Sequence, residues 1–88
     1  MAVRKFNGNL NAICNNLRKY RIKNKLSQAD VARQLNLLGV QSHKNDIQLI
    51  EANKRTVKDI EVWAFVKVLG ITYDELYEGI EEKLESDN

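Results

Sequence analysis

Residues 26–55 read LSQADVARQLNLLGVQSHKNDIQLIEANKR and contain two short helical patterns joined by a few residues. The first follows Ser27, a favoured N-cap, and carries apolar residues at helical spacing as far as a glycine. The second is predicted from about residue 43 to residue 52 and places Ile47 and Ile50 on one face. We therefore expect two adjacent helices, the second of which has a polar outer face.

The rest of the chain follows the same helical periodicity. A first helix is predicted from about residue 9 to residue 23, and a fourth runs from Asp59 until Gly70 ends it. A T-x-x-E capping box at residue 72 begins a fifth. The sequence predicts an all-α, compact five-helix domain over residues 1–78, followed by an acidic tail over residues 79–88 that can form a short helix.

Composition excludes several classes of protein. The chain has 88 residues, the size of one domain, with one Cys and one His. A single Cys excludes an intramolecular disulfide, and one Cys with one His excludes a Cys/His structural zinc site. Cys14 is expected in the core as a small apolar residue. No signal peptide or membrane span is apparent, so we expect a cytoplasmic protein without membrane contact.

Charge is distributed unevenly along the chain. The formal net charge is only +2, yet residues 1–58 carry a net charge of +9 and residues 59–88 carry −7. Such asymmetry is typical of a protein with one surface that faces a polyanion, although a solvated surface with uneven charge is the simpler interpretation.

The outer face of the predicted third helix carries side chains that suit base recognition. Lys44, Asn45 and Gln48 supply hydrogen-bond donors and acceptors. Leu49 is an apolar residue on the same face that either contacts a thymine methyl group or packs on the extended connector before this helix. A basic loop, residues 54–58, follows this helix. Two short helices with this arrangement indicate a helix-turn-helix, although a solvated helix face is the alternative for the same residues.

Four stretches of the chain together resemble a known family. They are residues 17–21 (LRKYR), 26–32 (LSQADVA), 47–55 (IQLIEANKR) and 66–76 (VKVLGITYDEL). In this order they are similar to the phage repressor/Cro type of helix-turn-helix, the XRE-like DNA-binding family. The resemblance covers about two-thirds of the chain and implies a repressor-like fold of five helices.

The resemblance also implies roles for individual residues. Gln28 would contact a phosphate and brace the next helix, either Ser42 or His43 would cap the recognition helix, and Arg21 would pair with Glu51 in a buried or half-buried salt bridge. The residues expected to bind DNA are Gln28, Ser42, His43, Lys44, Asn45, Gln48, Leu49, Lys54 and Arg55.

The chain departs from the family pattern at two places. The connector before the recognition helix is extended through residues 36–40, which affects the assignment of base contacts more than the fold. Lys25 stands where the family often has Gly.

An aromatic residue marks a candidate interface. Trp63 lies beside the apolar stripe of the fourth helix, together with Ile60. It is either an edge-of-core residue or part of a dimer interface with Ile80 and Leu84, since aromatic residues are enriched at interfaces.

These observations predict a transcriptional repressor that binds a palindromic operator in double-stranded DNA as a homodimer, because paired half-sites supply affinity and specificity. Two alternatives stay open: a DNA-binding antitoxin that holds a toxin through its tail and Trp63, and a helix-turn-helix used only for protein–protein contact. Catalysis is not expected, since no nucleophile–base pair, carboxylate pair or metal cluster is apparent. No cofactor and no small-molecule ligand are expected either.

Overall fold

The computed structural model describes residues 9–81 and contains five helices. They are α1 (Cys14–Lys23), α2 (Gln28–Leu37), α3 (Lys44–Glu51), α4 (Asp59–Leu69) and α5 (Tyr73–Leu76). The predicted all-α, five-helix fold is confirmed. In the predicted tail, residue 79 forms a turn, residues 80 and 81 are helical, and residues 82–88 lie outside the described residues. In the part of the chain that the structure describes, no helix has the length and apolar character that a membrane span needs.

One apolar core joins the helices. α2 packs against α3 and α4, and α1 contacts α3, α4 and α5. The largest fully buried side chains come from all five helices and from the residue before α1: Phe65, Ile13, Leu17, Leu35, Ile47, Ile50, Leu76 and Val31. Because α3 contributes both of its isoleucines, its inner face is fixed to the core and its outer face is held in one direction.

Helix starts follow the predicted capping chemistry. The Ser27 hydroxyl accepts from the Asp30 backbone N–H at 3.0 Å, and the Asp30 carboxylate accepts from the Ser27 N–H at 2.9 Å. Thr72 and Glu75 form the same reciprocal box at the start of α5. Each box satisfies backbone donors that the first helical turn leaves unpaired.

Three consecutive helices end in Schellman motifs, each with one residue in the left-handed conformation. Lys25 (φ 59°), Gly39 (φ 88°) and Asn53 (φ 60°) occupy these positions after α1, α2 and α3. After α2, for example, the Val40 N–H bonds to the Leu35 carbonyl at 3.0 Å. Lys25 therefore adopts a conformation that glycine favours, which is a physical reason for the Gly that the family often has at this position.

The beginning of α1 differs from the prediction. The apolar spacing placed it near residue 9, but the helix starts at Cys14. The reason is Asn11, which is 7% exposed and donates from its side-chain amide to the carbonyls of Ile50 and Arg55 at 3.0 and 2.9 Å. These bonds hold the segment before Ile13 in an irregular conformation across the end of α3.

Candidate nucleic-acid interface

The two faces of α3 are clearly divided. Ile47 and Ile50 are fully buried, whereas four side chains on the other face are exposed: Lys44, Asn45, Gln48 and Leu49. The exposed fraction of Leu49 is 40%, so an apolar group lies on an otherwise polar surface. This surface combines a cation, two amides and a branched apolar side chain, the groups that recognise base edges and thymine methyl groups.

His43 occupies the capping position at the start of α3. Its Nδ1 accepts from the Asn45 backbone N–H at 3.2 Å, and its own backbone N–H donates to the Asp46 carboxylate at 3.0 Å. Acceptance at Nδ1 requires the imidazole nitrogen to be unprotonated. Lys44 and Asn45 follow this cap directly, so the first turn of α3 is ordered before any ligand binds.

Ser42 has a different role from the one expected of a cap. Its backbone carbonyl accepts from the Asn36 side-chain amide at 2.8 Å, and its N–H donates to Asn36 Oδ1 at 3.1 Å. The Ser42 hydroxyl is buried, without a hydrogen-bond partner among the described residues. Ser42 therefore belongs to the connector between α2 and α3, and its hydroxyl is not presented to solvent.

An ion pair joins α1 to the end of α3. Arg21 Nε lies 2.6 Å from Glu51 Oε2, and Arg21 Nη2 donates to Glu51 Oε1 at 3.0 Å. The side chains are 14% and 5% exposed, respectively. Gln28 donates from Nε2 to Glu51 Oε1 at 3.2 Å, and Arg21 also donates to the Leu26 carbonyl. One carboxylate therefore sets the relative positions of α1, α2 and α3.

A polar cleft of about 220 Å³ opens beside this ion pair. It is lined by Arg18, Arg21, Gln28, Gln48, Glu51 and Ala52. Arg18 is exposed and was not among the predicted site residues. Its position one helical turn before Arg21 was the available signal, since residues at i and i+3 share a helix face. The cleft brings two amides and two guanidinium groups together next to the outer face of α3, and one of the guanidinium groups is paired with Glu51.

Two cations of the basic loop after α3 differ in their surroundings. Lys54 is exposed. Arg55 instead forms a bidentate pair with Glu61 of α4, at 3.0 Å for both contacts, and lies 3.8 Å from Asp46. The Arg55 side chain is 23% exposed and that of Glu61 is 4% exposed. The hydrogen bonds that Arg55 donates to Glu61 raise the pKa of Arg55 above its ordinary value.

This placement changes the expectation for Arg55. Its guanidinium is turned towards α4 and ties the loop to the domain, whereas a phosphate contact requires donors that point outward. Lys54 is exposed, and its contact with a phosphate stays a prediction. Between residues 9 and 81, no three acidic, histidine or cysteine side chains converge as metal ligands would.

The candidate interface residues are only partly brought together. Ile60 and Trp63 are 52% and 38% exposed on the outer side of α4. Ile80 is half-buried after α5, whose end is held to α1 by the amide of Asn16. Leu84 lies outside the described residues. Two further apolar residues are exposed at the end of α2, Leu37 at 81% and Leu38 at 41%.

Comparison with known proteins indicates a helix-turn-helix, as the geometry of α2 and α3 does. The family model described as Helix-turn-helix matches residues 17–76, which include α2 to α5 and all but the first three residues of α1. No curated protein and no solved structure matches the chain. The match spans more than half of the chain, and the family is a DNA-binding regulatory family and not an enzyme family. This chain belongs to the Cro-type, XRE-like helix-turn-helix family of DNA-binding regulators.

Proposed function

We propose that this protein is a transcriptional repressor of the cytoplasm that binds a palindromic operator as a homodimer. The observation that carries the proposal is the outer face of α3, where Lys44, Asn45 and Gln48 are exposed on a helix whose inner face is fully buried. A helix held in this way can enter the major groove without losing its position on the domain.

Base recognition follows from the side chains of this face. Asn45 suits the N6 and N7 edge of adenine, and Gln48 can make the same bidentate contact one turn later. Lys44 suits the O6 and N7 acceptors of guanine, and Leu49 suits a thymine methyl group. The operator half-site should therefore contain a short run in which these preferences are adjacent.

Phosphate contacts fix the orientation of the domain. Gln28 is the first residue of α2, where free backbone N–H groups and the helix dipole favour an anion. Arg18 lines the adjacent cleft, and Lys54 follows α3 with its side chain exposed. Arg18 and Gln28 line a cleft with Gln48 and Glu51 of α3, and Lys54 follows α3 directly, which supports all three as phosphate contacts beside the recognition helix.

Dimerisation supplies the specificity that one recognition helix lacks. A single helix reads few bases, and two half-sites one helical turn apart multiply the discrimination. The exposed Ile60 and Trp63 of α4 are apolar and adjacent, which supports this face as a contact surface between copies.

The experiment is selection of bound DNA from a random pool with the full chain, followed by affinity measurements on the selected site. We expect a palindromic sequence, and Asn45→Ala should cost about 1–3 kcal/mol on that site and relax one position of specificity. Lys23→Ala is the matched control, because Lys23 lines a separate cleft beside the α4–α5 turn. Equal losses for Asn45→Ala on selected and random DNA would contradict base recognition by α3. Failure to enrich any sequence would favour the protein–protein alternative.

A further inference from the structure

The outer face of α4 is a narrow stripe with opposite charges at its two ends. Four residues of this helix are exposed: Asp59, Ile60, Trp63 and Lys67. Successive residues of an α-helix are about 100° apart, so these four positions fall within an arc of about 100°. Asp59 is the first residue of α4 and Lys67 lies in its last turn. This α4 stripe is therefore acidic at its start, apolar in its middle and basic at its end.

An apolar cleft lies beside the basic end of the α4 stripe. Its volume is about 260 Å³, and it opens between the end of α2 and α4. Five residues line this leucine cleft: Gln34, Leu37, Leu38, Lys67 and Val68. Of the seven large apolar side chains that are exposed among the described residues, four belong to the α4 stripe or to the leucine cleft. Exposed apolar groups that lie together in this way mark a contact surface.

The α4 stripe is complementary to a second copy of itself when the two helices are antiparallel. In that orientation Asp59 of each copy lies near Lys67 of the other, and the two apolar middles face each other. The N-terminus of each helix then lies beside the C-terminus of the other, which the helix dipoles favour. Parallel helices would instead place like charges side by side. Antiparallel pairing about a two-fold axis uses the same surface on both copies, as a closed dimer requires.

The positions of the two charges also define which residues meet. Residue 63 is midway between Asp59 and Lys67, so the two-fold axis passes close to Trp63. The two indole rings then lie within reach of a stacked or edge-to-face contact. Ile60 of each copy lies opposite residue 66 of the other copy, one position from Lys67 and at the edge of the leucine cleft. Each exposed apolar group of this surface therefore has an apolar counterpart.

We infer that a second copy of this chain covers the α4 stripe in an antiparallel, two-fold arrangement, in which the two Trp63 rings are in contact and Ile60 of each copy enters the leucine cleft of the other. The inference rests on the proposed homodimer, specifies its interface and adds Leu37 and Leu38 of the extended connector to it. The same two-fold axis would relate the two halves of a palindromic operator.

The first test is sedimentation equilibrium of the full chain without DNA. The wild type should be a dimer, and Trp63→Ala should weaken the dimer about thirtyfold or more, since a central aromatic residue is lost. Leu37→Gln should weaken it about tenfold, because the apolar area that this side chain buries in the dimer is lost. Leu37 is 81% exposed within one copy, so its substitution leaves the fold intact.

Two exposed apolar residues outside the α4 stripe and the leucine cleft supply matched controls. They are Ile22 of α1, 53% exposed, and Tyr73 of α5, 49% exposed. Ile22→Gln and Tyr73→Ala should keep the wild-type dissociation constant. Losses in the controls equal to those of Leu37→Gln and Trp63→Ala would overturn the inference. A wild type that stays monomeric would overturn it as well and leave this face to a protein of another kind.

The second test measures the orientation of the two helices by disulfide cross-linking. Cys14→Ala is the background, so that each introduced thiol is the only one in its chain. An oxidised mixture of the Asp59→Cys and Lys67→Cys proteins should give cross-linked dimers. Either protein alone should give none, because antiparallel helices place the two copies of the same position about 12 Å apart, beyond the reach of a disulfide. Cross-links within either protein alone, or none in the mixture, would overturn the antiparallel arrangement.

Both tests are made without DNA, so their outcome is independent of base recognition. A protein that selects an operator and loses affinity through Asn45→Ala, yet fails these tests, keeps its DNA-binding function and loses the inferred interface. A protein that passes these tests and enriches no DNA sequence keeps the interface and loses the proposed function.

Discussion

Two arginine–glutamate pairs connect the recognition helix and the loop after it to other helices, and the sequence pattern predicts only the first of them. Arg21–Glu51 joins α1 to α3, and Arg55–Glu61 joins the loop after α3 to α4. The chemistry is the same, a guanidinium with two bonds to one buried carboxylate. The first pair matches a family pattern, whereas Arg55 follows Lys54 in a basic run that resembles a DNA contact. In both pairs the buried carboxylate partner, and not the charge of the neighbouring residues, decides what the arginine does.

The largest expected effect is a loss of free energy of unfolding, and its size should differ between the two pairs. Glu51→Ala leaves Arg21 buried without its carboxylate and removes the acceptor of Gln28, and should lower the free energy of unfolding by about 3–5 kcal/mol. Glu61→Ala should cost less, about 2–4 kcal/mol, because Arg55 is more exposed and keeps Asp46 at 3.8 Å. Urea denaturation of both variants measures the difference. A cost for Glu61→Ala that exceeds the cost for Glu51→Ala would reverse this ranking.

A smaller effect is expected for the two cations of the basic loop, of which only Lys54 should contribute to DNA binding. Lys54→Ala should reduce the magnitude of the salt slope of DNA affinity by about 0.9 with little change in stability, because its side chain is exposed. Arg55→Met/Glu61→Gln removes the ion pair but keeps an acceptor for the Lys58 backbone N–H, which Glu61 binds at 2.8 Å.

This double variant should retain the wild-type salt slope, since the Arg55 guanidinium is already paired with the Glu61 carboxylate. Removal of a buried pair together is tolerated better than removal of one partner, so the variant should remain folded. A slope reduced as much as in Lys54→Ala would return Arg55 to the set of phosphate contacts. Salt titrations of both proteins on one operator give the answer.

The smallest expected effect concerns carboxylates that are exposed. Backbone hydrogen bonds from Ser27 and Thr72 hold the pKa values of Asp30 and Glu75 below their ordinary values of 3.8 and 4.5. A lowered pKa in the folded state stabilises the fold above the unfolded-state pKa, and this stabilisation is lost as pH falls through the folded-state pKa. The capping contribution should therefore be complete at neutral pH and decline below about pH 4.5.

The melting temperature measures this contribution when wild type is compared with Asp30→Asn/Glu75→Gln. The difference between the two proteins should be greatest at neutral pH and should shrink in acid. Glu78→Gln is the control, since the Glu78 side chain makes no capping bond among the described contacts. A difference that stayed constant down to pH 3 would show that the two carboxylates act by some other means.

Local patterns predicted much of the fold and one face of the site. Apolar spacing identified Ile47 and Ile50 as the buried face of α3, and capping residues located the starts of α2 and α5. These features depend on residues within one or two helical turns of each other. The sequence therefore carries them without knowledge of the tertiary structure.

Other features depended on contacts between distant residues. Asn11 bonds to residues 39 and 44 positions away, so no local pattern shows why α1 begins at Cys14. Glu61 is the third residue of α4, a position where acids are common on exposed surfaces, and only packing reveals that it is 3% exposed. Arg18 was missed because its cleft forms only when α1, α2 and α3 meet.

The hydrogen bonds between Asn36 and Ser42 affect which residues of the connector can be substituted. Asn36 bonds to the backbone N–H and carbonyl of Ser42 and to the Ala32 carbonyl. The two ends of the extended connector are therefore hydrogen-bonded to each other. The residues between them include Leu37 and Leu38, which face solvent. Substitutions there can alter the outer surface without redirecting α3. The connector and the recognition helix can therefore evolve independently, and a change in protein contacts need not change the DNA sequence that is read.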